Sequence, residues 1–333
     1  MDLVVGTTAG VFLTDSHSGT AAEGMQQGTV RQLIRADGHL FAAASDGVYC
    51  SADGGSRWTR SGVDGGEVWS VAVSPDDPRT IYASTQPAHL FVSHDAGQSW
   101  QEIGSFLQVP DAERWCVPDN PNGARALSIA IDPFNARRCW VGVEVGGVIA
   151  TEDGGQHWSV VQPCGNADVH QLLAHPQQPN VLFATMGAGR MDNRPGDPTM
   201  PGPYDSNDGG RTWRHLGTRM QPHYTRAMCL DPRPPFALTV PAVPNFRSSM
   251  KDPEGAQSVL FWTEDGGASW RSLGDASHSP SRVRLTAVTP DPAEAGWVLV
   301  GTETGEVWRV SPDAEWRQIC QGLPAVQALL AQG

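Results

Sequence analysis

Apolar and polar residues alternate in short runs along most of the chain, and the runs are broken by Gly, Pro, Asp and Ser. One stretch shows the pattern: VWSVAV (68–73), then SPDDP (74–78), TIYAST (80–85), HLFVS (89–93) and WQEI (100–103). A period of two over so few residues, bounded by turn formers, predicts β-strands rather than helices. Four strands in succession, the second pair joined by a turn ending in Trp, make the blade of a β-propeller.

The same unit recurs at 29–62, 67–104, 124–162, 168–217, 223–274 and 282–322, and its Pro turns (SPDDP, DPFNA, HPQQP, DPRPP, TPDPA) recur in step. A seventh unit is split between the termini. DLVVGTTAGVFLTDS (2–16) supplies its second and third strands and AVQALLAQ (325–332) its innermost one. Joining the ends in one blade closes the ring and removes open sheet edges. The expectation is an all-β, seven-bladed propeller of four-stranded antiparallel blades, forming one domain over 1–333.

Each unit carries a version of one octapeptide: SADGGSRW (51–58), SHDAGQSW (93–100), TEDGGQHW (151–158), SNDGGRTW (206–213) and TEDGGASW (263–270), with a worn copy, SPDAEW, at 311–316. Repeats of this regularity are read before any other feature. An Asp side chain can accept hydrogen bonds from backbone N–H groups of a turn, and Gly supplies positive φ, so the Asp residues read as structural. The octapeptides resemble the BNR or Asp-box repeat of sialidases, other glycoside hydrolases, sortilin-type receptors and photosystem assembly factors. That resemblance implies a propeller and leaves the function open, because those proteins do unrelated things. The Phe-Arg-Ile/Leu-Pro marker of sialidases is missing; the one Phe-Arg, Phe246-Arg247, is followed by Ser-Ser, and seven units exceed the six sialidase blades. A true sialidase is therefore not expected.

Net charge is −13, which argues against wholesale binding to nucleic acid or to an anionic membrane. No run reaches the roughly 18 apolar residues of a membrane span. The start, MDLVVGTTAGVFLTDS, lacks signal-peptide features, and the six cysteines (Cys50, Cys116, Cys139, Cys164, Cys229, Cys320) show no CxxC spacing. The expectation is a cytoplasmic protein with reduced thiols.

Chain length varies mainly in the loops that leave second strands and enter first strands: 105–123, 187–205 and 243–258, with a shorter one at 275–281. Binding residues concentrate on variable loops over a rigid scaffold. Aligning the first residues of the innermost strands gives Arg31, Trp69, Arg125, His170, Arg226, Arg284 and Gln327 at these loops, with Asp168, His223 and Tyr224 just above. Second strands end there too, at Gln86, Glu144 and Glu303 among others. Arginines grouped in a concave site suit carboxylate or phosphate. The expected substrate-binding set is Arg31, Trp69, Arg125, His223, Tyr224, Arg226 and Arg284. Glu144 and His170 supply acid–base groups. Arg125 also stands in position simply to pair with Glu144 in its own blade. Glu144, Asp168, His170 and His223 form an alternative divalent-metal set, although no tight ligand spacing supports it, and no cofactor is expected. Two readings remain: a cytosolic hydrolase or lyase acting on a small anionic compound, or a non-enzymatic scaffold for an acidic protein segment.

Overall fold

The computed structural model describes residues 2–14, 21–115, 123–162, 165–187, 200–246, 248, 254–275 and 277–332. The alternating runs form seven antiparallel sheets. In the first, β29 (Val326–Ala331) lies beside β1 (Leu3–Thr7), followed outward by β2 (Gly10–Thr14) and β3 (Ala21–Met25). Leu3 faces Ala331 and Val5 faces Leu329, so the two ends of the chain do share a blade and close the ring. The outermost strand β3 completes that blade; its sequence, AAEGM, has no clear alternation, which is why the pattern of the N-terminal segment yields only two strands.

The second sheet holds β4 (Val30–Ala36), β5 (His39–Ala44), β6 (Gly47–Ser51) and β7 (Thr59–Gly62). The third holds β8 (Glu67–Val73), β9 (Ile81–Gln86), β10 (Leu90–Ser93) and β11 (Gln101–Glu102). Next come β12 (Arg125–Ile131), β13 (Cys139–Glu144), β14 (Gly147–Thr151) and β15 (Ser159–Val161), then β16 (Val169–Ala174), β17 (Leu182–Met186), β18 (Gly202–Ser206) and β19 (Arg214–His215). The sixth sheet contains β20 (Tyr224–Thr225), β21 (Cys229–Leu230), β22 (Leu238–Val243), β23 (Val259–Thr263) and β24 (Arg271–Ser272). Its innermost strand is broken into β20 and β21 opposite Pro241 of β22, which has no N–H to give to the ladder. The last sheet is β25 (Leu285–Pro290), β26 (Val298–Thr302), β27 (Val307–Val310) and β28 (Trp316–Cys320). The architecture is a seven-bladed β-propeller.

The chain divides into two compact units: residues 1–33, 53–57 and 216–333 in one, 34–52 and 58–215 in the other. Each has apolar cores between its own blades. In the first unit Leu3, Val5, Leu299 and Val326 are fully buried together. In the second, Phe106, Val141, Val143 and Ile149 share a cluster with Trp115. The described part of the long loop after β11 is therefore structural: Phe106 sits in a 3-10 turn (Gly104–Gln108) and meets the box residue Trp158 edge-on at 5.4 Å. The expected loop segments 116–122, 188–199 and 249–253 lie outside the described residues, as do Asp15, Cys116, Cys164 and Arg247. The described cysteines, Cys50, Cys139, Cys229 and Cys320, carry free thiols.

The octapeptide turns are built alike. The leading Ser or Thr is buried and accepts from the N–H of the fifth residue, as in Ser93 Oγ with Gly97 N (2.8 Å) and Ser206 Oγ with Gly210 N (2.8 Å). The Asp accepts from the N–H of the seventh residue: Arg57 on Asp53, Ser99 on Asp95, Thr212 on Asp208 and Ser269 on Asp265, each at 2.9 Å. Hydroxyls of Ser99, Thr212 and Ser269 donate to the second carboxylate oxygen. Together these bonds hold the Asp95, Asp208 and Asp265 carboxyls down to about 2. The fifth residue must be Gly: at Gly97, with φ +81°, a Cβ would lie 2.6 Å from Ser61 Oγ and 2.8 Å from the Phe41 ring.

Candidate functional site

The strand ends opposite the octapeptide turns obey a register that sequence alignment does not show. Pairing of first and second strands slips by one residue at the same place in five blades: between Gly6 and Thr7 against β29, between Val68 and Ser70, Ala126 and Ser128, Val169 and Gln171, and Leu285 and Ala287. The extra residue is Gln327, Trp69, Leu127, His170 or Thr286. A β-bulge re-aims the side chain it carries and is frequent beside functional sites. Two residues before each bulge, the first strand faces the end of the second: Glu67 opposite Gln86 and Arg125 opposite Glu144. Backbone hydrogen bonds hold Asp168 to Gly187 and Arg284 to Glu303 in the same way. The expected ring of equivalent first-strand residues is thus corrected. Trp69, His170 and Gln327 occupy the bulge position, whereas Arg125 and Arg284 occupy the pairing position two residues earlier. The slip arises because a bulge adds a residue without changing the hydrophobic pattern around it.

In the second unit these positions form a continuous polar cluster. Arg125 donates from Nη1 to Glu144 Oε2 (2.8 Å) and from Nε to Gln86 Oε1 (3.0 Å), and its guanidinium lies 5.2 Å from the Trp69 ring centroid. Gln86 in turn donates to Gly123 O at 3.2 Å, which fixes the amide. His170 Nε2 stands 3.3 Å from Asp168 Oδ1. Glu144, Asp168 and His170 are all buried, and one ligand atom from each falls within 4.8 Å of the others. Asn166 positions Asp168: its Oδ1 accepts from Asp168 N (2.9 Å) and its Nδ2 donates to Gly187 O (2.9 Å). Gly187 makes room, since a Cβ there would lie 2.2 Å from Asp168 Oδ2. This donor set of two carboxylates and an imidazole suits a small divalent cation as well as acid–base work. Among the described residues His223 is not part of it.

The first unit holds Arg31, His223, Tyr224, Arg226 and Arg284. Arg284 pairs with Glu303 across the strand end (Nε to Oε2, 2.6 Å), and Glu303 also accepts from Arg284 N. Tyr224 is buried against the edge of Phe246. Arg226 lies within the break in the innermost strand that Pro241 imposes, and Arg31 and His223 are half-buried. Two of the four arginines, Arg125 and Arg284, therefore already have carboxylate partners. An arginine so neutralised offers little to an anionic ligand, and this weakens the physical case for an anion-binding funnel. His175, expected to be structural, accepts from the N–H groups of Gln177 and Gln178 at 3.1 Å, as Asp132 does from Phe134 in its own Pro turn. Burial lowers the pKa of His175, in keeping with an acceptor nitrogen.

No family model matches the chain. It is 23% identical over 302 residues to an oligoxyloglucan-reducing end-specific xyloglucanase of Emericella nidulans, covering 78% of this chain and 35% of that protein. It is 24% identical over 278 residues to the xyloglucanase Xgh74A of Acetivibrio thermocellus, covering 74% and 29%. Among solved structures it resembles a GH74 xyloglucanase from Xanthomonas campestris with a TM-score of 0.63 at 16% identity, over 87% of this chain and 45% of that one. The chain spans about a third of the length of the curated relatives it matches. The structural likeness is one of fold.

These relatives overturn several expectations. The BNR or Asp-box resemblance is replaced, as a statement of kinship, by similarity to xyloglucanases. A small anionic substrate, and with it anion binding, is not what the relatives are named for; they are enzymes of a polysaccharide, and neither is an acidic protein segment carried forward as partner. The cytoplasmic expectation falls with them, because the relatives are xyloglucanases.

Proposed function

We propose that this propeller acts on a polysaccharide of the xyloglucan kind and hydrolyses a glycosidic bond at the Glu144–Asp168–His170 cluster. The observation that carries this reading is the match, over about three quarters of the chain, to enzymes named for xyloglucan. The chemistry of the cluster supports it. Glycoside hydrolysis works with a pair of carboxyl groups flanking the bond, one giving a proton to the leaving oxygen and the other acting on the sugar or on water. Glu144 and Asp168 stand close enough to address one bond, within 4.8 Å at their nearest ligand atoms. Arg125 orients Glu144, and His170 and Asn166 orient Asp168. Trp69, beneath the Arg125 guanidinium, offers an indole beside the site.

The test is release of new reducing ends from xyloglucan by the full chain. Glu144→Gln and Asp168→Asn should each lower turnover by about 10²–10⁴-fold while leaving binding of the polymer nearly intact. A chain that neither binds nor cleaves xyloglucan at millimolar sugar would remove the reading.

A further inference from the structure

A separate pocket opens beside Gln86 in the second unit. Its volume is about 400 Å³, and it is lined by Ser45 and Asp46 from the turn between β5 and β6, Glu67 at the start of β8, and Gln86 and Pro87 at the end of β9. Pockets that hold small ligands run from roughly 300 to 1,000 Å³. Asp46 is held in place by the Tyr49 hydroxyl, which donates to its Oδ2 at 2.7 Å. Glu67 and Gln86 face one another across the same pairing position that carries Arg125 and Glu144 in the next blade. The blade pair thus presents an acid and an amide where its neighbour presents an ion pair.

The lining decides what fits. Two carboxylates, an amide and a hydroxyl surround the space, with no lysine or arginine among them. Ionised carboxylates only accept hydrogen bonds, so an occupant must bring donors. They also repel a negative charge at close range, which excludes by repulsion as well as selecting by attraction. A ring of hydroxyl groups meets both conditions. Gln86 is the link to the cluster: its Oε1 accepts from Arg125, which donates onward to Glu144, so a group seated against Gln86 is two hydrogen bonds from the proposed reacting carboxyl.

We propose that this pocket is a subsite for one neutral sugar residue, held by its hydroxyls on Asp46 and Glu67, and that these two carboxylates make the protein discriminate against uronate-bearing chains. The proposal rests on the polysaccharide reading above and adds the charge selectivity of the site. The experiment titrates the full chain with a neutral xylose-branched gluco-oligosaccharide and with a galacturonate oligosaccharide of equal length. The parent should bind the neutral ligand at least about tenfold more tightly. Asp46→Asn combined with Glu67→Gln should weaken the neutral ligand about tenfold, as loss of charged hydrogen bonds does, and narrow the gap between the two ligands. Both changes keep side-chain volume, and each single variant, expected to show part of the effect, serves should the pair not fold. Equal parental affinity for the two ligands, or a folded variant that binds the neutral one as the parent does, overturns the subsite and leaves the polysaccharide reading standing. A parent that binds neither the neutral oligosaccharide nor xyloglucan itself overturns both.

Discussion

The two ends of each sheet are made from opposite materials. At the octapeptide end, turn after turn spends the same side chains on the backbone: a buried Ser or Thr caps the fifth N–H, an Asp takes the seventh, and a Trp closes over the turn, as when Trp213 Nε1 donates to Gly210 O at 3.0 Å. At the other end, equivalent positions vary among the blades: Glu67 with Gln86, Asp168 with Gly187, and an Arg–Glu pair at Arg125–Glu144 and again at Arg284–Glu303. Repetition where side chains satisfy the backbone, and divergence where they face one another, is the division expected of a scaffold that carries a site. A bulge at the divergent end of five blades adds to the contrast, because it turns Trp69 and His170 out of the ladder that fixes their neighbours.

The largest effect that tests this contrast compares two glycines, both with positive φ. Gly97, in an octapeptide turn, leaves no room for a Cβ against Ser61 and Phe41, whereas at Gly65 (φ +90°), at the other end, nothing lies within 4 Å. Gly97→Ala should cost about 2–4 kcal/mol, from left-handed strain plus overpacking, and Gly65→Ala about 1–2 kcal/mol from strain alone. Urea unfolding of the two variants measures the difference. Equal losses would mean that the octapeptide end is no more tightly built than the other.

A smaller effect compares carboxylates in the first unit. Asp265 accepts two backbone or hydroxyl bonds from Ser269 and one from Thr263, and Asp265→Ala should cost about 1 kcal/mol, as loss of a cap does. Glu303 pairs with Arg284 at a half-exposed strand end, and Glu303→Gln should change stability by less than about 1 kcal/mol. Thermal unfolding separates the two. Xyloglucan affinity should be unchanged in the Asp265 variant, and a loss of affinity in a fully folded Asp265→Ala protein would place function at the octapeptide end.

The same contrast explains what could be read in advance. Strand alternation, Pro turns and octapeptides act through residues a few positions apart, so the blade count, the shared terminal blade and the structural Asp residues are all legible in the sequence. So is the pairing of Arg125 with Glu144, which hairpin register alone brings together. The bulges are not legible, since one inserted residue leaves the apolar pattern intact; they shifted Trp69 and His170 relative to Arg125 and Arg284. The Asp46–Glu67 pocket was missed because its walls come from two blades and belong to no motif. The small-anion expectation rests on grouped arginines, and the pairing of Arg284 with Glu303, alongside that of Arg125 with Glu144, removes much of its electrostatic basis.

The smallest expected effect is a dependence on pH that belongs to one end alone. Hydrogen bonds from Ser99, Thr212 and Ser269 favour the charged forms of Asp95, Asp208 and Asp265 and bring each from 3.8 to about 2. A carboxyl whose pKa is lowered by folding stabilises the native state above its unfolded value, and that contribution fades as pH falls through the folded one. The stabilisation should therefore be complete above about pH 4 to 5 and be lost between about pH 4 and pH 2. All three sites are open to solvent, so each adds only a little, and the triple variant Asp95→Asn, Asp208→Asn, Asp265→Asn makes the sum measurable. Its thermal midpoint should lie below the parent's from pH 5 to 7, and the gap should close as pH drops toward 2, where the parent's carboxyls become protonated and resemble the amides. A gap that stays constant down to pH 2 would show that these turns hold through shape rather than charge, and would remove the electrostatic half of the contrast between the two ends.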